Sequence, residues 1–140
     1  MRKWALALTS AITLLAGSTL NAVPATATDT SFWACVQDSC AGTSTSGPIT
    51  WLNRTATLSV TIFKPEGVDY SATAIFDAFA GTTKIDTQTR TMRTSAAFQD
   101  FPALTIGDPN LVGGINRIRV QICENDLTPP FCGIQQNFWR

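Results

Sequence analysis

Apolar and polar residues alternate along most of this chain with a period of two, the strand period, and no long stretch carries the helix period. The run Arg54–Phe63 reads R-T-A-T-L-S-V-T-I-F. It puts Ala56, Leu58, Val60 and Ile62 on one face and Thr55, Thr57, Ser59 and Thr61 on the other, the pattern of a half-buried strand. After the turn Lys64-Pro65-Glu66-Gly67, a second strand is expected over Tyr70–Phe79. Tyr70, Ala72, Ala74 and Phe76 share one face of it, with Ile75 and Phe79 on the other. Thr83–Thr91 reads as a polar strand near a sheet edge, with Lys84, Asp86, Gln88 and Arg90 on one side. Ser95–Ile106 is a strand interrupted by Pro102, a residue confined to edges and bends. Ile115–Glu124 has Ile118, Val120 and Ile122 on one face and Arg117, Arg119, Gln121 and Cys123 on the other. Phe131–Trp139 closes the chain as a last strand, and Ser31–Val36 opens it. Gly42–Gly47 (G-T-S-T-S-G) reads as a flexible loop.

About seven strands at regular spacing predict an all-β, immunoglobulin-like antiparallel sandwich of two sheets. A jelly roll or small barrel is the alternative. Residues 1–27 carry a secretory signal pattern: Arg2 and Lys3, an apolar stretch from Trp4 to Ala16, and Ala25-Thr26-Ala27 as a small-x-small cleavage site. Ala22 is an alternative cut. Residues 28–140 then form one domain, long enough to bury its own core. No later segment reads as an anchor, so the expectation is a freely secreted protein, with no membrane association after cleavage.

The full chain has ten basic and ten acidic residues. Without Arg2 and Lys3 the balance is eight to ten, a net charge of −2. A chain with no basic block is not expected to bind nucleic acid. It contains no histidine, which removes the Ser-His and Cys-His devices of nucleophilic catalysis. Neither an enzyme nor a cofactor is expected, and no metal site is read.

Four cysteines remain: Cys35, Cys40, Cys123 and Cys132. In an oxidising compartment they are expected as two disulfides. Strand phase favours local pairs. Cys123 is out of phase with Ile118, Val120 and Ile122, so it does not face the core, and Cys132 across a hairpin is its natural partner. Cys35 and Cys40 would then close a tight turn, since six extended residues overshoot the roughly 6 Å between disulfide-linked Cα atoms.

The loop C-E-N-D-L-T-P-P-F-C, Cys123–Cys132, is the sharpest local feature. Closed by a disulfide and stiffened by Pro129 and Pro130, it would meet a partner with little entropy left to lose. It resembles the reactive loop of Bowman–Birk protease inhibitors, which also places Pro-Pro one residue before the closing Cys. The resemblance covers these few residues, and this loop is one residue longer. It implies that Asp126 sits at the position inserted into the protease, where those inhibitors carry Lys, Arg or a large apolar residue. Leu127 stands where they carry Ser. A stapled hairpin tip serving stability alone is the simpler reading.

Aromatic side chains offer another kind of contact. Trp33, in phase with Cys35 and out of phase with Phe32 and Ala34, is expected to face outward. Trp33, Trp51 and Trp139 are candidates for stacking on sugar rings, against the simpler role of packing. The expectation for function is a secreted, non-catalytic binding module whose partner is an extracellular protein, a glycan or a small ligand. Its candidate contacts are Asp126, Leu127, Pro129, Pro130, Phe131, Trp33 and Trp139. Protease inhibition through the Cys123–Cys132 loop and carbohydrate binding through exposed tryptophans are the alternatives. Asn53-Arg54-Thr55 fits the glycosylation acceptor pattern.

Overall fold

Nine strands, all antiparallel, form two sheets, and the computed structural model describes them over residues 29–38 and 40–140. The expected signal segment, 1–27, and its cleavage sites lie outside the described residues. In chain order the strands are β1 Asp29–Cys35, β2 Ser44–Trp51, β3 Ala56–Phe63, β4 Ala72–Ala80, β5 Thr83–Met92, β6 Phe98–Ile106, β7 Arg117–Glu124, β8 Phe131–Cys132 and β9 Gln136–Trp139. The first sheet has the order β1-β2-β3-β6. The second runs β5-β4-β7, with the short β8 and β9 both pairing β7. The chain changes sheet between β3 and β4, between β5 and β6, and between β6 and β7.

The alternation read from the sequence sets the inner faces. Ala56, Leu58, Val60 and Ile62 are buried on β3, as are Ile118, Val120 and Ile122 on β7. On β4 the inner residues Ala72, Ala74 and Ala78 are small, which leaves room for aromatic rings from the opposite sheet. Phe32 fills that room and meets Phe76 edge-on, with ring centroids 5.4 Å apart, a favoured aromatic geometry. Phe138 of β9 packs on the other side of Phe32 at 6.3 Å.

Three expectations need correction. Gly42–Gly47 is not a flexible loop: Ser44–Gly47 belongs to β2, an interior strand paired with both β1 and β3. It reads as polar because its inward residues are small or hydroxylic. Thr43 and Thr45 are fully buried, and the Thr45 hydroxyl donates to the Thr61 carbonyl at 3.0 Å. At Gly47 an added Cβ would overlap the Ser59 carbonyl and press on the Phe32 ring, so glycine permits the close approach. Lys84 does not share a side with Asp86, Gln88 and Arg90. A bulge opposite Ala78 and Phe79 shifts the register of β5, and Lys84 reaches the outer face of the second sheet. The expected last strand, Phe131–Trp139, is two short strands divided by Gly133, Ile134 and Gln135.

Candidate functional site

Both disulfides have the expected local pairing, Cys35–Cys40 and Cys123–Cys132. They stand at the same end of the sandwich, with the β3–β4 and β5–β6 connections. Gly133, next to Cys132, packs so closely on the Cys35 carbonyl that a Cβ there would overlap it. The two staples therefore share one corner. Cys123 keeps the outward phase of Arg119 and Gln121, yet it is only 2 % exposed. The β8 strand covers it, and that strand is drawn in by two bonds: Gly133 N–H to the Ile122 carbonyl at 2.9 Å, and Gln121 Nε2 to the Gly133 carbonyl at 2.9 Å.

The base of the Cys123–Cys132 loop is fastened to the start of β4. The Asn125 N–H donates to the Ser71 carbonyl at 3.0 Å. The Asn125 amide donates to the hydroxyls of Ser71 and Thr73, at 3.1 and 2.8 Å. The Asp126 carboxylate accepts the Ser71 N–H at 3.3 Å. Behind it, Glu124 accepts the Thr43 hydroxyl at 2.7 Å, and Thr43 in turn lies 2.7 Å from the Tyr70 hydroxyl. Burial, with the negative charge and hydrogen bond of Glu124, pushes the Tyr70 hydroxyl above its ordinary pKa, against the opposing pull of Thr43.

Beyond this fastened base the loop is open. Leu127 is 57 % and Phe131 46 % exposed, and Thr128, Pro129 and Pro130 between them are exposed too. Beside the loop, Trp33 (55 % exposed) and Ile134 line a groove of about 160 Å³ with Gln37, Asp38 and Gln136. Of the expected contacts, Leu127, Pro129, Pro130 and Phe131 thus sit together on the loop, while Trp33 lines the separate groove with Ile134. The Asp126 carboxylate turns back onto the body, a contact it would have to give up to enter a protease pocket.

Trp139 lies elsewhere. It projects from the outer face of the second sheet, whereas Trp33 projects from the first. Arg117 stacks between Trp139 and Phe79, its guanidinium carbon 5.2 and 3.9 Å from the ring centroids, and donates to Asn137 at 3.1 Å. Trp51 is buried, against the expectation that it could stack on sugar rings. Its neighbours on the inner face of β2 explain this, since Ile49 is buried beside it in the same core.

The sequence reading missed the ion cluster beside Arg117. Asp77 is 8 % exposed and meets Arg119 at 2.7 Å and Lys84 at 3.5 Å, while the Thr87 hydroxyl donates to it at 2.6 Å. Burial alone would raise its pKa. The hydrogen bonds from Thr87 and Arg119 and the charges of Lys84 and Arg119 outweigh that and hold the carboxyl below its ordinary value. Arg119 was visible as an outward residue of its strand, but its partner on β4 was not.

No family model matches the chain, and no curated protein or solved structure shows significant similarity to it.

Proposed function

We propose that the chain is a secreted module of immunoglobulin-like topology that binds an extracellular protein through its disulfide-closed end. The topology is supported by the strand neighbours. β3 pairs with β6 in one sheet and β4 with β7 in the other, the relation of strands B with E and C with F in that fold. β5 then takes the place of C′ and β9 that of G, with β1 and β2 leading. The chain departs from antibody domains in having no disulfide between the sheets and Phe76, not Trp, at the centre of β4. Secretion is supported by two disulfides within one domain, the usual mark of an oxidising compartment.

The observation that carries the binding reading is the contrast within one loop. Its base is fixed by Asn125 and Asp126 on β4, while Leu127 to Phe131 remain solvent-exposed. A pre-ordered apolar tip loses little entropy on contact, and clustered exposed apolar residues mark interaction sites. The test is a pull-down from the culture medium and cell surface of the source organism with the mature protein. The expected result is a retained protein that is lost with Leu127→Ser combined with Phe131→Ser and kept with Trp139→Ala. Retention indifferent to the loop double variant would overturn the assignment.

A further inference from the structure

The outer face of the first sheet is a second candidate surface, independent of the loop. Its composition follows from the strand phases. Trp33 on β1 is level with Ser46 on β2, Thr61 on β3 and Asp100 on β6. One step toward the disulfide end, Ser44 leads to the cross-strand pair Phe63 and Phe98. These two rings are exposed, 41 % and 59 %, and lie 6.4 Å apart. Serine, threonine and proline supply most of the rest, and among the described residues the strands of this sheet carry no Lys or Arg. Its two strand carboxylates are already engaged within it: Asp29 accepts the Thr50 hydroxyl and Asp100 the Thr61 hydroxyl.

We propose that this face binds an extended, uncharged polysaccharide, with Trp33 at one side and Phe63–Phe98 at the other as stacking platforms. With strands about 4.8 Å apart and a rise of about 3.4 Å per residue, Trp33 stands about 12 Å from Phe63 and about 16 Å from Phe98. That spacing suits the apolar faces of successive sugar rings along one chain. The hydroxyls of Ser44, Ser46 and Thr61 lie between the platforms and can both donate and accept, as sugar hydroxyls do. Other occupants fit the chemistry less well. An acidic polymer or nucleic acid needs Lys or Arg. An interface with a second copy needs a contiguous apolar centre, and here serine and threonine separate the aromatics.

The test is co-sedimentation of the mature protein with insoluble cellulose, chitin, β-1,3-glucan and starch, with polygalacturonate gels as the acidic comparison. Retention on at least one uncharged polymer, unchanged by high salt, is expected. Trp33→Ala and Phe98→Ala should each weaken it about tenfold, some 1.4 kcal/mol, while Trp139→Ala and the loop double variant leave it intact. Ser46→Lys, which keeps every aromatic and places a charge between the platforms, should weaken it comparably, and near-UV circular dichroism checks that each variant is folded. The proposal fails if no uncharged polymer is retained, if only polygalacturonate is and salt abolishes it, or if the folded Trp33, Phe98 and Ser46 variants bind like the parent.

Discussion

The outer faces of the two sheets are built from opposite materials. The second sheet carries a charged lattice: Asp77 between Arg119 and Lys84, and Arg117 stacked between Phe79 and Trp139. The first sheet carries hydroxyls and open aromatic rings, with no cation on its strands among the described residues. Side chains on the second sheet are paired with one another, although Trp139 stays 58 % exposed. Those on the first are left largely facing solvent, with aromatics that pack on little. A face whose groups satisfy each other is explained by stability, whereas one that leaves Trp33, Phe63 and Phe98 open displays the kind of clustered exposed apolar area that interaction sites use.

The largest test of this contrast compares two carboxylates. Asp77→Ala leaves Arg119 half-buried and uncompensated, which should cost about 2–3 kcal/mol. Asp100→Ala removes an exposed bond to Thr61 and should cost under about 0.5 kcal/mol. Urea unfolding measures both, and equal losses would erase the distinction. Acid should act through the same residue. The folded-state pKa of Asp77 lies below its ordinary 3.8, so the unfolded chain binds the extra proton first. The stabilisation is therefore complete above the unfolded value and disappears as pH falls through the folded one. Asp77→Asn should flatten that acid limb of a stability–pH curve, and an unchanged limb would assign it to other groups.

Next in size is the contrast between exposed tryptophans. Trp139→Ala should cost about 1 kcal/mol, because it uncovers Arg117. A double-mutant cycle with Arg117→Met should return a coupling of about 0.5–1 kcal/mol. The same cycle run between Arg117 and Trp33, on the opposite face, should return nothing. Coupling in the second cycle would mean that the two faces communicate through the core.

How far these faces could be read in advance depended on whether their logic was local. The hydroxyl face of β3 was legible, since Thr57, Ser59 and Thr61 alternate with a plainly apolar set. The outward phase of Cys123 and its pairing with Cys132 were legible for the same reason. The first half of β2 was not, because its inward residues Thr45 and Gly47, like Thr43 just before it, carry no apolar signal and are accommodated by hydrogen bonds and close backbone contact. The loop anchor joins Asn125 to Ser71 and Thr73, more than fifty residues away, a pairing no spacing rule reveals. The partners of Asp77 were hidden twice over. Arg119 lies across a long-range strand pair, and Lys84 reaches the outer face only because a bulge shifts β5 by one residue.

That bulge supplies the smallest and most discriminating prediction. Lys84 is 3.5 Å from Asp77, and its side chain is 54 % exposed. An ion pair this open is screened and contributes little, so Lys84→Met should cost under about 0.5 kcal/mol and nothing in high salt. Thr61→Val on the first sheet should cost a similar amount, independent of salt, because its contact is a hydrogen bond from a hydroxyl. Thermal unfolding of the two variants at low and high salt separates the cases. If Lys84→Met costs as much as Asp77→Ala, the bulge exists to complete a charge triad and the second sheet depends on it. If it costs almost nothing, Arg119 and Thr87 suffice to hold Asp77, and the bulge serves only to turn the edge strand as it leaves the sheet.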